Sequence, residues 1–91
     1  MIEEEVIIQV KSKIDKGDLS DIKELWEDYE NTDFGRVLAW EYIFQKVYIH
    51  AALKKKSEIC KWLETLYEKL DPIQKIGIRH SFSYGKYLLN R

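Results

Sequence analysis

The chain has 91 residues but only one cysteine, one proline and four glycines. Each scarcity excludes something. Cys60 has no second thiol to pair with, so the disulfide-stapled scaffolds of small secreted domains are excluded. Neither His50 nor His80 has another histidine three or four residues away, and no Cys-x-x-Cys occurs, so zinc-site spacing is missing. With no Gly/Ser-rich run there is no linker to divide the chain, and one helical domain over residues 1–91 is expected. A bilayer span needs about 20 predominantly apolar residues. The richest stretch, "LAWEYIFQKVYIHAAL" at 38–53, is interrupted by Glu41, Gln45, Lys46 and His50, and is expected to be no transmembrane helix. The opening Met1-Ile2-Glu3-Glu4-Glu5 is acidic where a leader would be basic, which points to a soluble intracellular protein.

What is present is an apolar and aromatic helical pattern carried on an uneven charge. Aromatics make up 13% of residues, a high share that fills a small core efficiently. The net charge is only −1, yet residues 1–36 hold eleven acids against five bases, whereas Lys75, Arg79, Lys86 and Arg91 in 72–91 meet no acid. Such polarity suits self-association, an anionic partner, or acidic and basic elements packed side by side.

The apolar period is helical throughout. Ile2, Val6, Ile7, Val10 and Ile14 mark a first helix over about 3–16, with Gly17 expected as its C-terminal cap. Asp18 or Ser20 caps a second helix to about Tyr29, and Asn31-Thr32-Asp33 reads as a turn and new cap. A third helix follows over about 34–55, and Ser57 is expected to cap a fourth. "DPIQ" places Asp71 at an N-cap, Pro72 at the first helical position and Gln74 at the capping-box position. The fifth helix then carries Ile73, Ile76, His80, Tyr84 and Tyr87–Leu88 in register, with Gly77 and Gly85 threatening to break it within "SFSYG". The fold class is all-α, a bundle of about five helices around the long third one.

That third helix has two apolar faces. One holds Val37, Trp40, Phe44, Val47, Tyr48 and Ala51; the other holds Leu38, Tyr42, Ile49 and Leu53. Glu41 with Gln45, and Arg36 with Lys46 and His50, form the polar strips between them. A helix on the outside of a monomer needs one apolar face. The expectation is that one face is core and the other a homodimer interface, with Trp40, Phe44 and Tyr48 or Leu38, Tyr42 and Ile49 as its anchors. The alternative is a central helix enclosed within one copy.

Little here points to chemistry, and neither a catalytic residue nor a cofactor is expected. Cys60 beside Ile59 reads as a small hydrophobe at the core edge, and His80 as a partly buried imidazole bonded to a neighbour. Glu24, Glu27 and Asp28 read as a solvated face. Nucleic-acid binding is the competing function: Lys75, Arg79, Lys86 and Arg91 are interleaved with His80, Phe82, Tyr84 and Tyr87, as phosphate contact and base stacking require. The isoelectric point of about 6.1 argues against it.

"SDIKELWED" (20–28) and "SEICKWLET" (57–65) share a helix-start scheme, and 51–67 resembles a divergent ankyrin repeat without the ankyrin turn signature. "SEICKWLETLY" and "LDPIQKIGIRHSFSYGKYLLNR", with the Tyr/Lys/Ile-rich composition, resemble the small helical proteins of amoeba-infecting giant viruses of the Marseillevirus kind. The resemblance implies a virus-specific protein of the host cytoplasm or the virion, with viral or host proteins as partners and no catalytic residue to carry over.

Overall fold

The computed structural model describes residues 2–31 and 38–91, and within them the chain forms five α-helices and no strand. Helix α1 spans Ile2–Lys16, with Glu3, Glu4 and Glu5 in its first turn and Lys13 and Lys16 in its last, as the helix dipole favours. Gly17 ends it in the left-handed conformation (φ 76°), its N–H reaching the carbonyls of Lys13 and Ile14. Helix α2 is Leu19–Glu30, capped by Asp18, whose carboxylate accepts from the N–H of Asp21 at 3.2 Å; Ser20 lies inside the helix. Of the turn expected at 31–33, Asn31 is the C-cap of α2, while Thr32 and Asp33 lie outside the described residues.

Helix α3 is Trp40–Leu53, shorter than the expected 34–55 at both ends; residues 34–37 are outside the described residues. Lys54 is its C-cap, and Lys55 takes the left-handed position beyond (φ 58°) that glycine would fill without strain. The N–H groups of Lys55 and Lys56 close the end on the carbonyls of Ala52 and Ala51. Lys55 has a second partner, because its ammonium donates to the carbonyl of Leu88 and, at 3.4 Å, to that of Leu89. The cation thus sits on the carbonyl end of the last helix, where the dipole attracts it.

Helix α4 is Ser57–Glu68, with Lys56 rather than Ser57 at the N-cap and no side-chain cap bond. Helix α5 is Pro72–Asn90, unbroken through "SFSYG". It starts with the full capping box: Asp71 accepts from the N–H of Gln74 at 2.8 Å, and Gln74 accepts from the N–H of Asp71 at 3.2 Å.

Helix α3 is the centre. It packs on α1, α4 and α5, most extensively on α5, and α1 also packs on α2. Val6, Ile7, Val10 and Ile14 of α1, Ile22 and Trp26 of α2, and Ile59, Cys60 and Leu63 of α4 close the core around it. Much of α3 is covered within one copy, and Glu41, Gln45, Tyr42 and His50 meet matching groups on its neighbours. Glu41 and Gln45 accept from Gln74 (3.1 Å) and Ser81 (2.8 Å) of α5. On the other side Tyr42 donates to Glu4 at 2.7 Å and His50 meets Asp15 at 2.8 Å, both on α1. A polar strip that finds a polar partner need not face water.

Candidate association surface

Helix α5 also has two apolar faces, and the one turned inward is not the one the sequence favoured. Ile78, Gly85 and Leu88 are buried, with Gln74, Ser81 and Phe82 half-buried beside them. The inward choice is made by shape. The ring of Tyr48 lies so close to Gly85 that a Cβ there would stand 2.3 and 2.4 Å from two ring carbons. Phe82 completes an aromatic stack, with ring centroids 4.0 Å from Tyr67 and 5.1 Å from Tyr48.

The run read in apolar register on α5 faces water instead, except Leu88, which is buried. Ile73 is 82% exposed, Ile76 68%, Tyr84 53% and Tyr87 63%, and His80 in their midst is exposed as well. At about 100° and 1.5 Å per residue, these five side chains fall within an arc of about 80° along roughly 21 Å of helix. The two tyrosine rings lie near each other, centroids 6.5 Å apart. Sequence reasoning found the stripe but not its direction. The signal that could have revealed it was Gly85 at the centre of the opposite face, since an inward glycine makes sense only against a ring pressed upon it.

Of the six expected anchors of a dimer interface on α3, three lie in the core. Phe44 and Tyr48 are buried in the core, as is Leu38 just before the helix. They offer no surface to a second copy unless the bundle opens. Trp40, Tyr42 and Ile49 are half-buried against that core, Trp40 on Trp26 with centroids 5.0 Å apart. Leu53, 58% exposed, is the part of the second face that stays open.

The four basic residues of 72–91 divide. Lys75 lies 3.6 Å from Glu68 and over the ring of Tyr67; Lys86 lies 3.5 Å from Glu64 and over the ring of Phe82. These lysines tie α5 to α4, and Phe82 is committed to the stack. Arg79 and Arg91 are exposed.

Cys60 is fully buried, and burial followed by the charge of Glu64 pushes its thiol up to about 11, where a thiolate nucleophile is scarce. Burial, and after it the charge of Glu64, also raises the phenol of Tyr48; the Glu64 carboxylate stands near its hydroxyl, which makes no hydrogen bond of good geometry among the described residues. Among these residues no three His, Cys, Asp or Glu side chains are grouped to hold a metal, and no helix is long and apolar enough to cross a membrane. A recess of about 240 Å³ between Trp26, Trp40, Phe44, Leu66 and Leu70, rimmed by Glu30, Lys69 and Gln74, falls below the usual range for small-molecule sites. Glu30 at that rim has its carboxyl raised, first by desolvation and then by Glu27.

No protein-family model, curated protein or solved structure matches the chain.

Proposed function

We propose that this chain is a non-enzymatic protein that works by self-association, with the outward face of α5 as its contact surface. The observation that carries the reading is the exposed run Ile73, Ile76, Tyr84 and Tyr87 on one side of a well-capped 19-residue helix. Scattered surface hydrophobes need no explanation, but a contiguous stripe of large ones marks a contact surface. Rigidity adds to the case, since the capping box, the Lys55 ammonium and the stack around Phe82 hold α5 in place before anything binds. A preorganised surface loses little entropy on association. The resemblance of 57–67 and 70–91 to small giant-virus proteins makes a viral particle the assembly in which such a component would serve.

The competing nucleic-acid reading is weakened by the ion pairs of Lys75 and Lys86, which already neutralise half of the basic set. Light scattering over a concentration range tests the proposal. The wild type is expected to gain mass with concentration, and Ile76→Glu to remain monomeric with its helical signal intact. A wild type that stays monomeric throughout, or an Ile76→Glu variant that associates equally well, refutes it. Salt separates the competitor: binding of DNA or RNA that falls steeply between low and physiological salt supports it, whereas apolar self-association persists.

A further inference from the structure

The exposed stripe of α5 reads nearly the same in both directions. Ile73 and Tyr87 stand seven positions on either side of His80, and Ile76 and Tyr84 stand four positions on either side. All five side chains share one face of a continuous helix and all are exposed. Resting on the self-association reading, we infer that the occupant of this face is a second copy of the chain, with the two α5 helices antiparallel and a two-fold axis passing through His80.

A two-fold interface must be self-complementary, each residue meeting a fixed counterpart. An axis at position 80 sets Ile73 against Tyr87 of the second copy, Ile76 against its Tyr84, and His80 against its own equivalent. Each outer pair is thus aliphatic on aromatic, a small group against a large one, repeated on the other side of the axis. A parallel pairing would set isoleucine on isoleucine at one end and tyrosine on tyrosine at the other, leaving the two ends unequally filled. Arg79 lies on the flank of the stripe, where a polar, wetted rim belongs.

The size of the patch fits a reversible dimer. Two tyrosines, two isoleucines and a histidine can cover on the order of 500 Å² per copy. That gives about 1,000 Å² in all, near the lower limit for a specific interface. The contact is therefore weak, with an affinity sensitive to the one polar residue at its centre.

The charge at position 80 provides the test. His80→Lys and His80→Glu are surface substitutions that leave the core untouched, and circular dichroism verifies the fold of each. Sedimentation equilibrium is expected to show each variant alone associating at least about tenfold more weakly than wild type, because like charges meet on the axis. An equimolar mixture of the two is expected to regain association as a one-to-one pair of unlike copies, and His80→Leu to associate more tightly than wild type. If wild type associates but the mixture gains nothing over its components, the axis is elsewhere: this register is overturned while the self-association reading stands. If wild type is monomeric across the micromolar range, both fall.

Discussion

Replacing Gly85 by alanine and, separately, Gly77 by alanine makes the same chemical change twice on α5, and the two should move stability in opposite directions. Both substitutions gain the helix propensity of alanine over glycine, about 1 kcal/mol each in a helix interior. At Gly77 a new Cβ meets nothing within 4 Å, so that gain should appear nearly whole. At Gly85 the Cβ would stand 2.3 Å from Cε1 and 2.4 Å from Cδ1 of Tyr48. The Tyr48 ring has little room to swing, being fully buried and stacked between Phe44 and Phe82 at 5.7 and 5.1 Å. The helices must separate instead, loosening the most extensive contact of the fold, and overpacking of this kind typically costs about 1–3 kcal/mol, occasionally more. Because the propensity term is common to both, the difference between the variants is the packing cost itself. Thermal unfolding followed by circular dichroism reads it, with each kcal/mol worth roughly 4–8 °C in a domain of this size. Gly77→Ala should melt above wild type and Gly85→Ala below it. If Gly85→Ala were as stable as Gly77→Ala, the close approach of α5 to Tyr48 would be wrong, and with it the outward direction of the stripe.

Tyr48→Phe keeps the stacked ring and removes a buried hydroxyl that makes no hydrogen bond of good geometry among the described residues, so stability should hold or rise by up to about 1 kcal/mol in denaturant titration; a clear loss would reveal a partner for the hydroxyl. Asp15 has its carboxyl held below its ordinary value of 3.8, chiefly by the hydrogen bond with His50. Its folded value being lowered, the stabilisation is fully present above the unfolded value and is lost as pH falls through the folded one. The stability gap between wild type and Asp15→Asn should therefore close as pH falls through that range; a gap independent of pH down to acid unfolding would contradict the pairing. Lys55→Ala keeps the strained left-handed backbone but removes the ammonium from the end of α5, and should destabilise by about 0.3–1 kcal/mol in the same titration, with no change if the contact is idle.

Local rules carried the sequence reading a long way. The stop at Gly17 and the box at Asp71–Gln74 each depend on residues within one turn of one another, and each appears in the fold, as do the α1 stripe at Val6, Ile7, Val10 and Ile14 and, of the two caps open for α2, Asp18. Where two choices were locally equal, the reading failed. Ser57 is a good capping residue, but the chain enters α4 from a turn closed by the Lys55 and Lys56 N–H groups, which places Lys56 at the cap. On α3 and α5 both faces are apolar, so periodicity cannot say which one faces in. That is settled by matches between distant residues: Gly85 with Tyr48, Gln74 with Glu41, Ser81 with Gln45. Among the described residues the large exposed apolar side chains lie chiefly on α5, with Leu53 on α3 and Ile8 on α1. His80, expected to be partly buried, is exposed among those of α5.

The central claim is that copies of this chain meet through the outward face of α5. It is tested most directly by following the backbone amide resonances of the wild-type protein through a dilution series. The account predicts concentration-dependent shifts centred on Ile73, Ile76, His80, Tyr84 and Tyr87, with the amides of α3 unmoved. Shifts centred on Trp40, Tyr42 and Ile49, or no shifts at any concentration, would contradict it.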